Sequence, residues 1–109
     1  MTFTYKVFVQ PRAKADLLQA YRWAAQHAPD AAERWLSRFE AALQSLATFP
    51  ERCGVAPESD RFEFEVRQLL FGRASSVWRA LFIIRDGEVH ILHVRHGAMS
   101  AAQPHDLHD

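Results

Sequence analysis

Two apolar, β-rich runs near the carboxyl end constrain this chain more than anything else in it. Residues 77–84 and 89–96 are joined only by Arg85-Asp86-Gly87-Glu88. Asp-Gly between such runs signals a tight β-hairpin, because the favoured turn needs positive φ at both central residues. Both runs are apolar on their two faces, so the hairpin belongs in the middle of a sheet, with cover above and below. The rest of the chain has to supply a sheet around it and the layers that shield it.

The amino half supplies a strand and two helices. Residues 3–9 alternate, with Phe3, Tyr5, Val7 and Val9 on one face and Thr4 and Lys6 on the other, a period of two. Pro11 closes this strand. Ala13, Leu17, Ala20, Tyr21, Ala24 and Ala28 then recur at helical spacing, until Pro29-Asp30 interrupts them. Asp30 is the expected N-cap of a second helix. Its stripe is Ala32, Trp35, Leu36, Phe39, Leu43 and Leu46, ending before Pro50. Two amphipathic helices separated by so short a break form an antiparallel pair whose stripes cover a sheet.

Residues 50–61 hold two prolines and a glycine and read as a loop, followed by a strand expected over 62–70. The order is β-α-α-β-β-β: an α+β fold, a helix hairpin packed on a small, mostly antiparallel four-stranded sheet. With 109 residues there is room for one domain. We assign it to residues 1–98, with a loosely held tail at 99–109.

Several function classes are disfavoured. Thirteen Lys and Arg balance thirteen Asp and Glu, so the basic excess that drives most nucleic-acid binding is missing, and RNA contact would need a local patch. Cys53 is the sole cysteine and cannot form an internal disulfide. No apolar run approaches the roughly 18 residues of a membrane span, and Met1-Thr2-Phe3-Thr4-Tyr5 lacks a signal-peptide layout. The expected location is the cytoplasm. His93 and His96 point to opposite faces of a strand, and His90 and His96 lie roughly 20 Å apart on one face. No metal site is therefore expected, and no cofactor.

With this order in hand, the carboxyl half resembles the RelE/ParE superfamily of toxins. The carrying stretches are Glu65-Val66-Arg67-Gln68-Leu69-Leu70-Phe71-Gly72, Val77-Trp78-Arg79-Ala80-Leu81-Phe82-Ile83-Ile84, and Val89-His90-Ile91-Leu92-His93-Val94-Arg95-His96-Gly97-Ala98. The amino half adds a Pro-x-Ala start with Asp16-Leu17 and an Ala-rich helix pair ending in Leu46-x-x-x-Pro50. The resemblance spans residues 3 to 98, and the long helix hairpin, Leu-Leu-Phe-Gly and Val-Arg-His-Gly place it nearer ParE-like members. It implies the toxin half of a type II toxin–antitoxin pair, growth-inhibiting, plasmid-stabilising and silenced by a cognate antitoxin. ParE-like members poison DNA gyrase. RelE-like members are ribosome-dependent, metal-independent endoribonucleases acting on mRNA.

Under the ribonuclease reading, the 2′-hydroxyl attacks its own phosphate, and the enzyme stabilises charge on phosphorus while moving two protons. Arginine suits the first task through its permanently charged planar fork. The resemblance puts Arg79 at the phosphate-binding position, Arg67 among the basic residues of the second strand, and Arg95 and His96 near the proton-transfer residues. If Arg67, Arg79 and Arg95 share a sheet face, they form a compact basic patch; the competing expectation pairs Arg79 and Arg95 with Glu63 or Glu65 across strands. RelE-like nucleases place a tyrosine near the carboxyl end, and this chain has tyrosines only at 5 and 21. That departure favours gyrase as target and leaves enzymatic activity open. Leu18 and Trp23, off the buried stripe, are candidate partner contacts together with Arg79 and Arg95. A degenerate, non-toxic interaction domain is the third reading.

Overall fold

The computed structural model describes residues 4–73 and 76–97. Its elements are β1 (Lys6–Val9), α1 (Pro11–Ala25), α2 (Pro29–Gln44), β2 (Arg67–Phe71), β3 (Trp78–Arg85) and β4 (Glu88–His96), with short 3₁₀ turns between α2 and β2. The β-α-α-β-β-β order read from the sequence holds. The sheet runs β1-β4-β3-β2, so the hairpin of β3 and β4 is central. Only β1 against β4 is parallel; the other pairs are antiparallel. Asp86 and Gly87 close the hairpin with φ of 52° and 76°, the two positive values that a type I′ turn requires.

Both helices start on a proline, Pro11 and Pro29. Proline suits a first helical position, where its missing N–H has no partner to lose. This corrects the expectation for Asp30. The N-cap position of α2 belongs to Ala28, and Asp30 lies inside the first turn, where its charge favours the positive end of the helix dipole. The buried faces are Ala13 and Leu17 of α1, and Ala32, Phe39 and Leu43 of α2, continued by Leu46. All of these but Ala32 join Ala80, Phe82, Val89, Ile91 and Val94 of the central strands in one core. Phe39 is at the centre, stacked on Phe71 at 4.5 Å and met edge-on by Trp35 at 5.5 Å.

The second strand is shorter and later than expected. Residues 62–66 precede β2, and Phe62 and Val66 turn onto the sheet face away from the helices. There Ala56, Val66 and Leu81 form a second apolar cluster with Phe62, Ile83 and Leu92. The alternation of Phe62, Phe64 and Val66 thus serves a covering segment and not a ladder. The segment is tied to the edge of β2 by Ala56 N–H to Val66 carbonyl at 2.8 Å and Gln68 N–H to Gly54 carbonyl at 3.0 Å. Both layers that the central hairpin demands are therefore present.

A β-bulge changes the expected parity of β4. Leu81 pairs with His93 but Phe82 pairs with Ile91, so Leu92 is an extra residue. Val89, Ile91 and Val94 consequently all join the helix-side core, while Leu92 joins the far-side cluster. Strict alternation would have put Ile91 and Val94 on opposite faces. Glycines close the strand ends: Gly72 has φ of 100°, and a Cβ there would stand 2.3 Å from the Ser76 carbonyl oxygen. The segment expected as a tail, 99–109, lies outside the described residues, as does Phe3.

Replacing Phe39 by alanine removes the ring on which both helices and β2 converge. Urea denaturation of Phe39→Ala is expected to show a loss of about 3–5 kcal/mol in unfolding free energy.

Candidate functional site

The three arginines singled out in the sequence do not form one patch. Arg67 pairs in register with Phe82, which puts it on the helix side of the sheet. Its guanidinium turns to the loop edge, donating to the carbonyls of Cys53 at 2.6 Å and Glu51 at 3.2 Å, and lying 2.8 Å from Glu65. Arg79 and Arg95 are direct cross-strand partners on the opposite face. They come together; Arg67 does not join them.

Arg79 is engaged inside the protein. Its Nε donates to Gln68 Oε1 at 2.8 Å, and its Nη2 forms an ion pair with Glu58, whose side chain is fully buried. Neither Glu63 nor Glu65 supplies this partner, contrary to the competing expectation. A buried carboxylate and guanidinium are each costly to desolvate, and together they hold the covering segment on the sheet. Arg95 is 5% exposed, with Nη1 lying 3.1 Å from His93 Nε2.

His93 connects this face to α1. Arginine can only donate, so Nε2 of His93 accepts and the ring proton sits on Nδ1. That proton is donated to Asp16 Oδ2 at 2.5 Å. Asp16 also accepts from the Val94 amide at 2.9 Å and from Arg12 Nε at 3.1 Å. Burial pushes the Asp16 carboxyl up, but the hydrogen bonds from His93, Val94 and Arg12 outweigh it and hold its pKa below the usual carboxylate range. Arg12, Asp16, His93 and Arg95 thus form a linked polar seam from the helix layer into the sheet.

His96 shares a groove with Arg12, Asp16 and His93 of that seam. It is half-buried and meets Trp78 edge-on at 5.1 Å. That groove, of about 410 Å³, is completed by Gln19, Trp23 and Trp78. Neither Arg79 nor Arg95 is among its lining residues, so His96 is not assembled with Arg79 there; the guanidinium at this groove is that of Arg12 on α1.

The helix hairpin offers a different kind of surface. Trp23 is 69% exposed and Leu18 44%, in accord with their position off the buried stripe. Leu18 lines an apolar groove of about 340 Å³ between α1, α2 and β1, with Leu17, Leu36 and Leu43 on its floor and Lys14 and Glu40 among its lining residues. Trp23 lies along the same helix and meets His27 edge-on at 5.4 Å. Among the described residues, no helix is long and apolar enough to cross a membrane.

Sequence reasoning missed two residues here. Asp16 lies between Ala13, Leu17 and Ala20, so an acid intrudes on the apolar stripe of α1; that intrusion was a usable signal. Glu58 sits in a loop without periodicity, and nothing local marks it as buried.

Comparison with known proteins gives a consistent set. The family model described as the ParE toxin of the type II toxin–antitoxin system parDE matches residues 7–101. Toxin RelE2 of Caulobacter vibrioides is 33% identical over 87 residues, covering 80% of this chain and 89% of that protein. Among solved structures, the chromosomal ParDE system of P. aeruginosa contains a chain that superposes with a TM-score of 0.70 at 20% identity, covering 87% of this chain and 98% of that one. A chain of the RelBE2 toxin–antitoxin complex from Mycobacterium tuberculosis superposes with a TM-score of 0.52 at 24% identity, covering 91% and 98%. The two structural likenesses establish the fold.

The seam has a testable acid limb. A carboxyl whose folded pKa is depressed contributes stability above its unfolded value, and that contribution is lost as pH falls through the folded pKa. Asp16→Asn is expected to be less stable at neutral pH by about 1–3 kcal/mol and to lose less stability on acidification. Thermal melts from pH 7 downward would check both signs. Arg79→Ala removes a buried ion pair with Glu58 and is expected to cost about 3–5 kcal/mol, measured by denaturant titration.

Proposed function

This chain belongs to the ParE toxin family of type II toxin–antitoxin systems, and we propose that it arrests growth by binding DNA gyrase through protein contacts. The observation that carries this reading is the engagement of Arg79 by buried Glu58 and by Gln68. A guanidinium held in that way is not presented to a phosphodiester. Arg67 is turned to loop carbonyls, and neither it nor Arg79 lines the groove of His96, where the guanidinium present is that of Arg12, paired with Asp16. Neutral net charge argues in the same direction, since a ribosome-bound mRNA would be met without a basic field.

The cognate antitoxin is the second partner of this reading. Leu18 and Trp23 supply exposed apolar contacts on α1, and the groove beside Leu18 has the apolar floor and mixed-charge lining that an amphipathic segment fits. Antitoxin binding there covers surface without requiring the sheet to open.

Two assays on purified protein separate gyrase from mRNA. Supercoiling of relaxed plasmid by gyrase is expected to be inhibited equally by wild type and by His96→Ala. Primer extension on mRNA in a reconstituted translation reaction is expected to show an uncut message with either protein. Codon-phased cuts that vanish in His96→Ala would replace gyrase poisoning with ribonuclease action. In a separate titration, Leu18→Ala combined with Trp23→Ala is expected to weaken antitoxin binding by roughly thirtyfold or more, the loss typical of removing interface anchors.

A further inference from the structure

Trp23 borders two hollows on the outer side of α1. One is the groove it shares with Arg12, Asp16, Trp78 and His96; the other runs along the helix past Leu18, Arg22 and Gln26. Gln19 and Trp23 line both, so the two meet at the indole. At 69% exposed, that ring offers an amphipathic surface on which an apolar side chain can be buried.

The charge of this surface is set by one residue. Asp16 accepts from His93, from the Val94 amide and from Arg12, and Arg12 is its ion-pair partner. Those two charges offset each other. Arg22, exposed on the last turn of α1, is the other Lys, Arg, Asp or Glu in either lining, and it leaves a net positive charge. An occupant of the surface should therefore be acidic and carry an apolar group for the indole.

The chain supplies such a segment at the rim of the groove. β4 ends at His96, itself a lining residue, and the Gly97 amide donates to the Val77 carbonyl at 2.7 Å. Residues 98–109, which follow, are Ala-Met-Ser-Ala-Ala-Gln-Pro-His-Asp-Leu-His-Asp. They hold Asp106 and Asp109, no lysine or arginine, and the large apolar side chains of Met99 and Leu107. Such a segment can extend to roughly 40 Å. The stretch of α1 from Arg12 to Gln26 is only about 21 Å long, so the whole surface is within reach. A second copy docking the same face across a twofold axis would instead set Arg22 against its own counterpart.

We propose that residues 98–109 fold back along α1 and cover Trp23, with Leu107 on the indole and the flanking aspartates beside Arg22. Tethering makes a weak contact sufficient. A short flexible linker holds its end at an effective concentration on the order of millimolar, so a contact of millimolar affinity is about half populated. The same indole is the antitoxin contact proposed above, and the segment therefore competes with the antitoxin for it. Docking stands without the toxin reading; the competition rests on that reading.

Acrylamide, a neutral quencher, reads the exposure of Trp23 in the full-length chain, with the signal of Trp35 and Trp78 subtracted through Trp23→Phe. The quenching constant of Trp23 is expected to rise about twofold in Leu107→Ser and in the pair Asp106→Lys with Asp109→Lys. Arg22→Glu is expected to release the indole in the same way. Combining Arg22→Glu with the two lysine substitutions reverses both sides of the contact and is expected to restore the wild-type value. Melting temperatures, expected to match wild type, show that α1 is intact in each variant. In a titration with the cognate antitoxin, Leu107→Ser is expected to bind about twofold more tightly, since the competing half of the population is gone.

Equal quenching in wild type and in the variants of residues 106, 107 and 109 overturns the docking. Quenching that falls as protein concentration rises overturns it too and gives the indole to a second copy. Failure of the charge-reversed combination to restore protection removes Arg22 as the partner of the aspartates and overturns the register proposed. An antitoxin affinity unchanged by release of the indole overturns the competition. Absence of antitoxin binding by every protein sinks the toxin reading, and the quenching result alone then decides the docking.

Discussion

The arrangement of this molecule depends on two arginines that its central strands put opposite one another. Arg79 and Arg95 are register partners on β3 and β4, and both are largely buried. Like charges so placed repel, and charge withdrawn from water is tolerated only when paired and hydrogen-bonded. Glu58 meets the first guanidinium and His93 accepts from the second. Glu58 comes from the long connection between α2 and β2, so that connection must run across the far face of the sheet. His93 is anchored in turn by Asp16 on α1, so the helix layer is tied to the same charges. A local problem on two strands thus sets the course of a loop and the docking of a helix.

Closing the far face has a consequence for what the scaffold can do. One side of the sheet is covered by α1 and α2, the other by the segment around Ala56, Phe62 and Val66. An open face lined with free guanidinium groups would receive a phosphate backbone; here the guanidinium best placed for it already has a carboxylate. Exposed apolar side chains remain on the helix hairpin, on the turn that leaves it, and at Phe8, Val55, Phe64 and Leu70. On the hairpin these are Leu18 and Trp23, and on the turn Phe49.

How much of this was legible depended on whether a signal is periodic. The helix stripes, the Asp-Gly hairpin and the central place of residues 77–84 and 89–96 all come from spacing, and spacing survives folding. Parity failed in β4, because one extra residue at the bulge reverses every later side chain. Proline rules over Asp30 show a different limit: two good helix-start signals stood side by side, and the preset φ of Pro29 took the first helical position. The boundary of β2 was misread because Phe62 and Val66 alternate as a strand would, yet pack as a cover. Glu58 was invisible for a plainer reason. Its partner is 21 residues away, and only the folded chain brings them together.

Two features run against local preference, and they are compensated differently. The buried charges at Arg79 and Arg95 conflict with the rule that interiors are apolar, and the conflict is resolved inside the chain by Glu58, Gln68 and His93. Phe49 conflicts with two rules at once, through left-handed backbone at a residue with a large side chain and through an aromatic ring facing water. Arg52 and Tyr5 do not relieve either conflict; they enforce both, since their hydrogen bonds hold the backbone that strains the residue and presents the ring. A glycine at the same position would satisfy every one of those hydrogen bonds without strain, because all are made by backbone groups of residues 45–49, by Ser45 or by Glu51. The phenyl ring takes no part in those hydrogen bonds and belongs to neither apolar cluster.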